Sequence, residues 1–94
     1  TPFIVALNKV DRLSGWKSHK GEPFIQSIRK QNKKTQQFLD EKIYEVMGEL
    51  SSLGFLSDRY DKIQDYTKNV AIIPTSAASG EGIPDLFLIL AGLT

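Results

Sequence analysis

Two short apolar runs, residues 3–7 (FIVAL) and residues 70–73 (VAII), constrain the fold of this chain most strongly. Each is rich in β-branched residues and too short for a helix, which is typical of strands buried on both faces of a parallel sheet. Pro2 precedes the first run and Pro74 ends the second, positions where a missing backbone N–H is tolerated. The sequence contains no third run of this type, and two parallel strands do not make a stable sheet. We therefore expect further strands to lie outside the chain.

The residues between the two runs predict a long crossover helix. From Leu39 onward, apolar side chains recur at intervals of three and four and form one core-facing stripe. Its members are Leu39, Ile43, Val46, Met47, Leu50 and Leu53. Gly54 followed by Phe55 is typical of a helix C-terminus with a left-handed glycine. The stripe could begin earlier, at Phe24, Ile25 and Ile28, with residues 29–34 as an interruption.

Two further helices are predicted near the C-terminal end. A short one would run from Asp58 or Arg59 to about Tyr66, capped by Ser57 or Asp58, with Tyr60 and Ile63 facing inward. The last would begin at Pro84 and continue through Leu90. It is apolar nearly all round, so we expect it to be either buried or cut short of its natural partner. The pattern predicts an α/β fold: two parallel strands, a long crossover helix and a terminal helix.

Composition excludes several classes of protein. The 94 residues are 40% hydrophobic and 24% charged, as in ordinary globular domains, and the net charge of +1 implies no polyelectrolyte partnership with nucleic acid. The absence of cysteine excludes disulfides and thiolate metal sites, and fits a reducing cytosol. No apolar run is long enough to span a membrane. Because the chain opens at Thr1 inside an apolar run, we expect it to be an excised piece of a longer protein.

A polar motif follows each apolar run. Asn8-Lys9-Val10-Asp11 comes after the first, and residues 75–82 (TSAASGEG) come after the second. Ligands of open α/β sheets bind beyond the carboxyl ends of the strands, so these motifs mark the candidate site. Alternatively, the first could be a plain turn leaving a strand, and the second a glycine-rich loop that only caps the last helix.

The pair of motifs resembles the guanine-recognition elements of translational and Ras-like GTPases, Asn-Lys-x-Asp and Ser-Ala-x. Guanine presents its N1–H and 2-amino group side by side, and a carboxylate, here Asp11, can accept both protons. Adenine lacks this pair of donors, and a site built on such bonds can reject it by about 10⁴-fold or more. The resemblance gives Asn8, Lys9, Asp11, Ser76, Ala77 and Ala78 as GTP-binding residues.

Each of these residues has an expected role. Asn8 would tie the loop together and reach the far edge of the purine, and Lys9 would lay its aliphatic stem along the base. Ser76 would orient Asp11, and the backbone N–H of Ala77 would donate to the guanine O6. Many GTPases carry Lys or Leu where this chain has Ala78, a difference that should leave base selection intact.

Three longer stretches resemble one family, the archaeal and eukaryotic type of translation initiation factor two/five-B. They are residues 1–17, residues 38–55 and residues 70–84, so the resemblance covers essentially the whole chain. It implies the carboxy-terminal portion of a GTPase domain of the P-loop type, spanning residues 1–94. It further implies a cytoplasmic, ribosome-dependent GTP hydrolase of protein biosynthesis that promotes ribosomal subunit joining and initiator tRNA placement. Its expected partners are GTP or GDP, the ribosome, initiator tRNA and the rest of its own domain, with neither membrane nor DNA.

The parts that handle phosphate are absent from these residues. The sequence contains no Gly-x-x-x-x-Gly-Lys-Ser/Thr loop, no switch threonine and no Asp-x-x-Gly stretch. We therefore expect the chain alone to be inactive, with no catalytic or metal-binding residue of its own and with magnesium held only through the missing part. His19 is expected to be a solvent-exposed loop residue.

Two alternatives remain open. One is a non-enzymatic helical module that binds ribosomal RNA or protein through the basic cluster at residues 29–34, although a solvated helix face is the simpler interpretation of that cluster. The other is a ribosome-assembly GTPase of similar fold, against which the Gly15-Trp16-Lys17 segment and the long insert argue. Trp16 itself could anchor a partner, but more commonly such a residue covers the helix that follows.

The remaining aromatic and acidic residues suggest structural roles. Tyr44, Tyr60 and Tyr66 are expected to pack at the edge of the core. Glu41, Glu45 and Glu49 recur every four residues, as on a solvated helix face.

Overall fold

The computed structural model describes residues 4–65 and 68–93. They form three strands and three α-helices, with a 3-10 turn after β1 at Val10–Arg12 and another after β2 at Tyr60–Lys62. In chain order the elements are β1 (Ile4–Leu7), α1 (Phe24–Arg29), α2 (Lys33–Ser52), β2 (Ser57–Arg59), β3 (Val70–Pro74) and α3 (Ile83–Leu93). The α/β class predicted from the sequence is confirmed.

The sheet has the strand order β1-β3-β2, and both pairings are parallel. Ile4 lies opposite Ala71, and Leu7 opposite Pro74. All five residues of β3 are buried, as expected for a central strand. β1 is only half-buried and Ala6 is exposed, so the expectation of burial on both faces is wrong for β1. Within the described residues, β1 pairs with β3 alone.

The prediction of only two strands, followed by a helix from Asp58 or Arg59, is corrected by β2. Residues 57–59 (SDR) pair with residues 70–72 of β3, and the chain then makes only a single 3-10 turn. The sequence of β2 contains no apolar run, because this strand is held in the sheet by backbone pairing along the edge of β3. The inward positions of Tyr60 and Ile63 are confirmed. Tyr66 lies outside the described residues.

The crossover consists of two helices. α1 ends at Arg29, and α2 begins after Asn32, whose side-chain oxygen caps it by accepting from the Thr35 N–H at 2.7 Å. At the other end, Gly54 is left-handed (φ 91°) and the Phe55 N–H donates to the Leu50 carbonyl, as in a Schellman cap.

The predicted stripe of α2 is confirmed in its middle and wrong at its end. Leu39 and Ile43 are buried, whereas Leu53 is 71% exposed because it follows the last helical residue. Tyr44 is also exposed, contrary to the core-edge expectation, because its position lies off the buried stripe. Glu41, Glu45 and Glu49 are exposed as expected.

α3 begins one residue before Pro84 and is not buried all round. Phe87, Leu88 and Leu90 are exposed, while Leu86 and Ile89 pack against the core. Asp85 fixes the helix from its first turn, accepting from the Phe24 N–H at 2.7 Å and from the Tyr60 hydroxyl at 2.5 Å. In the described ranges, no helix has the length and apolar character needed to cross a membrane.

Candidate functional site

The two polar motifs meet beyond the carboxyl ends of β1 and β3. The Thr75 N–H donates to the Leu7 carbonyl at 2.8 Å, and the Val10 N–H donates to the Thr75 carbonyl at 3.2 Å. These bonds continue the parallel pairing past the ends of the strands. Because the sheet register fixes where both strands end, it also fixes how the first motif faces the second.

Asn8 joins the two motifs through one oxygen. Its Oδ1 accepts from the Lys9 N–H at 2.8 Å and from the Ala77 N–H at 3.2 Å. Lys9 is left-handed (φ 66°), the one described residue besides glycine with positive φ. This conformation is costly for a side chain with a Cβ. The turn at Lys9 starts the 3-10 turn that carries Asp11.

Asp11 is oriented by Ser76. The Ser76 hydroxyl donates to Asp11 Oδ1 at 2.8 Å and accepts from the Ser79 N–H at 3.2 Å. Ser76 is fully buried and Asp11 half-buried. Because the Ser79 N–H occupies the acceptor side of the hydroxyl, the Ser76 proton is directed at the carboxylate. Asp11 Oδ2 has no hydrogen-bond partner within residues 4–65 and 68–93, which leaves it available to a ligand.

The site is an open cavity of about 190 Å³ between the motifs. Its lining consists of Asn8, Lys9, Asp11, Arg12, Ala77 and Ala78. The structure thus brings all six predicted site residues together, with five at the surface of the cavity and Ser76 buried beneath Asp11. A second cavity, of about 160 Å³, adjoins it and shares Asn8, Lys9 and Arg12 with it.

A larger cavity, of about 360 Å³, lies elsewhere, between α1, α2 and β2. Arg59 lines it, held by two bonds to Asp61 of 2.6 and 2.9 Å, and its guanidinium lies 5.1 Å from the centre of the Phe24 ring. Burial by itself would lower the pKa of Arg59. The hydrogen bond to Asp61 and the negative charge of Asp61 outweigh burial, so the pKa of Arg59 is raised above its ordinary value. With its guanidinium already paired, Arg59 is a structural residue.

Sequence reasoning missed the importance of Glu81, which lies near the end of the second motif. The side chain is 1% exposed. Its Oε1 accepts from the Ser79 hydroxyl at 2.7 Å and from the Trp16 indole N–H at 3.1 Å, and its Oε2 accepts from the Ser27 hydroxyl. Burial raises the pKa of Glu81, but these bonds outweigh it and hold that pKa below the ordinary value. A glutamate between two glycines carries no local signal of burial, because its partners lie far away in sequence.

Two other expectations change in this region. His19 is partly buried rather than solvent-exposed, because its Nδ1 lies 3.4 Å from the Ser27 hydroxyl and 3.9 Å from Glu81 Oε2. Trp16 is partly buried against the core, so the covering role is the better description of it.

Known proteins match this chain closely. No protein-family model matches it. It is 53% identical over 93 residues to the probable translation initiation factor IF-2 of Methanopyrus kandleri, covering 99% of the chain and 16% of that protein. The corresponding protein of Ignicoccus hospitalis is 54% identical over 92 residues, covering 98% of the chain and 15% of that protein.

A solved structure matches the fold. The crystal structure of GDP-bound aIF5B from Aeropyrum pernix superposes with a TM-score of 0.97 at 42% identity, covering 100% of this chain and 16% of that one. The chain therefore spans about one sixth of the length of these relatives. The resemblance inferred from the sequence is confirmed: over nearly its whole length this chain is homologous to one segment of the translation initiation factors archaeal IF-2 and aIF5B.

Proposed function

We propose that this chain is the guanine-recognition part of a translation initiation GTPase. The observation that carries the proposal is the 2.8 Å hydrogen bond from Ser76 to Asp11 at the edge of the open cavity. This bond orients a carboxylate whose Oδ2 is available and whose Oδ1 keeps a second lone pair, so two acceptor sites remain for the guanine N1–H and 2-amino group. The GDP-bound state of the related aIF5B supports the choice of ligand.

In this proposal Asp11 selects the base. It accepts the N1–H and the 2-amino group of guanine, while adenine would place the lone pair of its N1 against the carboxylate. A bound base would cover the half-buried Asp11 carboxylate, and an acceptor removed from water without a partner costs free energy, which adds to the discrimination. Lys9 covers the base with its aliphatic stem and keeps its ammonium toward solvent.

Backbone N–H groups of the second motif bind the O6 atom of guanine in this proposal. The Ala77 N–H is already engaged by Asn8 Oδ1, but at 3.2 Å this bond is long enough to be exchanged for, or shared with, the O6. The Ala78 N–H lines the same cavity and makes no hydrogen bond within the described part of the chain. Small side chains at both positions let the base approach the backbone.

Hydrolysis belongs to the whole factor in this proposal. Residues 1–94 form the carboxy-terminal portion of its GTPase domain, and the phosphate loop, the switch regions and the magnesium site come from the rest of that domain. The chain alone is therefore inactive. The names of the relatives support a role of the complete factor in translation initiation. Beyond those names, our proposal is that the complete factor works in the cytoplasm on the ribosome and promotes subunit joining and initiator tRNA placement.

Calorimetry tests the proposal directly. GDP and ATP are titrated into the chain alone and into the chain mixed with the amino-terminal half of the domain. We expect GDP to bind in the mixture and ATP to show no binding. Absence of GDP binding in a mixture shown by circular dichroism to be folded would reject the proposal and favour a helical interaction module.

A single substitution tests the role of Asp11. The amide of Asp11→Asn presents a donor and an acceptor, so affinity should shift from GDP toward xanthosine diphosphate. The matched control is Asp40→Asn, the same chemical change on α2, away from the cavity. Undiminished GDP binding by the Asp11 variant would show that another group reads the base.

A further inference from the structure

A buried carboxylate lies behind the loop that forms one wall of the cavity. We call residues 75–82 the second-motif loop, and residues 14–31 the bracing segment. Glu81 of the loop accepts from Trp16 and Ser27 of the bracing segment. Backbone bonds join the same two parts: the Gly21 N–H donates to the Ser79 carbonyl at 2.8 Å, and the Gly82 N–H to the Glu22 carbonyl at 3.1 Å.

A continuous chain of hydrogen bonds links this carboxylate to Asp11. Ser76 donates to Asp11, the Ser79 N–H donates to the Ser76 hydroxyl, and the Ser79 hydroxyl donates to Glu81 at 2.7 Å. From Glu81 the network continues to Trp16. This network therefore connects the orientation of the Asp11 carboxylate with the position of the bracing segment. It runs through the side chains of Ser76, Ser79, Glu81 and Trp16 and the backbone N–H of Ser79.

The network requires an acceptor with two anionic oxygens. Glu81 is 1% exposed and receives the Ser27, Ser79 and Trp16 donors together with a backbone donor from His19. Charge-assisted bonds of this kind are about twice as strong as neutral ones. The His19 ring, 3.9 Å from Oε2, is the one nearby group able to carry a positive charge in the described ranges. An amide in place of the carboxylate would offer one acceptor oxygen instead of two. Its NH2 group would face either the Trp16 indole N–H, which can only donate, or a serine hydroxyl, which would have to rotate to accept.

We infer that Glu81 is a positioning residue for guanine recognition, holding the second-motif loop in place through Trp16 and Ser27 of the bracing segment. This inference rests on the proposed function. It assigns part of the nucleotide affinity to Glu81, which does not line the cavity, and to Trp16 and Ser27, which lie outside both motifs. Because the Trp16 indole N–H donates to Glu81, this single tryptophan of the chain is a spectroscopic probe of the position of the second-motif loop.

The experiment compares Glu81→Gln and Ser79→Ala with the parent in the mixture of both halves of the domain. GDP affinity is measured by calorimetry, and the Trp16 indole N–H is followed by NMR during the titration. We expect both variants to bind GDP about tenfold more weakly, because each loses a hydrogen bond that fixes the loop. The exposed Glu41→Gln on α2 is the matched control and should bind like the parent.

The tryptophan signal separates positioning from stability. In the parent, GDP should shift the indole resonance; in Ser79→Ala, Trp16 keeps its bond to Glu81 but the shift should largely disappear. A merely structural role would lower the melting temperature and leave the affinity of the folded protein unchanged.

GDP affinity within twofold of the parent in a folded Glu81→Gln or Ser79→Ala variant would overturn the inference. If Glu81→Gln fails to fold, Ser79→Ala decides alone; failure of the parent itself to bind GDP would reject the proposed function and this inference together.

Discussion

The hydroxyl of Ser76 donates a 2.8 Å hydrogen bond to the carboxylate of Asp11, 65 positions earlier in the chain. The bond joins the residues that follow two neighbouring parallel strands, and the strand register brings them within reach. Ser76 is buried and Asp11 lines the cavity, so the pair consists of a fixed inner residue and a ligand-facing outer one.

Removal of the Ser76 hydroxyl tests this relationship. Ser76→Ala should weaken GDP binding about tenfold and lower the free energy of unfolding by about 1–2 kcal/mol, because Asp11 and the Ser79 N–H both lose a partner. Calorimetry and urea titration measure the two effects. The control is Ser52→Ala at the exposed end of α2, whose hydroxyl donates to the Glu49 carbonyl of the same helix. Equal GDP affinities for the Ser76 and Ser52 variants would contradict the proposed orienting role.

Gly82 should tolerate no side chain. It has φ of 74°, and a Cβ there would lie 2.1 Å from the Pro74 carbonyl oxygen, so Gly82→Ala must displace the backbone between β3 and α3. We expect a loss of more than about 2 kcal/mol of stability. Gly48→Ala is the opposite case, because the site is helical and open; it should gain about 0.5–1 kcal/mol. Urea denaturation of both variants checks the contrast, and similar stabilities would refute it.

Removal of the N-terminal cap of α2 should lower stability by a smaller but measurable amount. Asn32→Ala removes the 2.7 Å bond to the Thr35 N–H and should cost about 1 kcal/mol of stability. Asn32→Asp keeps an acceptor at the helix N-terminus and should retain most of that stability. Thermal melts of the two variants beside the parent measure the difference. An alanine variant as stable as the aspartate variant would mean that the cap contributes nothing.

Stability should fall in acid through Glu81. Hydrogen bonds from Ser27, Ser79 and Trp16 hold its folded pKa below the ordinary value of 4.5, despite burial, whereas the unfolded chain has the ordinary pKa. The unfolded state then binds more protons in this range, so the contribution is complete above pH 4.5 and is lost as the pH falls through the folded pKa. Urea titrations from pH 6 down to about pH 3 should show a steeper loss for the parent than for Glu81→Gln. Parallel curves would exclude Glu81 as a source of the acid sensitivity.

Local sequence was most informative where residues act on their neighbours. The apolar run of residues 70–73, the three- and four-residue spacing of Leu39 and Ile43, and the glycine at position 54 each identify an element correctly. Local sequence was misleading at β2, where residues 57–59 are polar and form a strand only because β3 offers a free edge. It also gave no reason to expect Leu53 or Phe87 at the surface, since exposure depends on what packs against a helix.

The class of the fold, the six candidate site residues and the family resemblance could all be predicted from local sequence, because strand periodicity, helix caps and short motifs are patterns of adjacent residues. The tertiary structure was needed to bring Ser76 within 2.8 Å of Asp11, a contact that the family resemblance led us to expect. It also revealed that Asn8 engages the Ala77 N–H and that Glu81 fastens the second-motif loop to Trp16 and Ser27. The physical reason is distance along the chain. A hydrogen bond between residues 65 positions apart depends on the register and packing of the whole sheet, which no local pattern of residue types encodes.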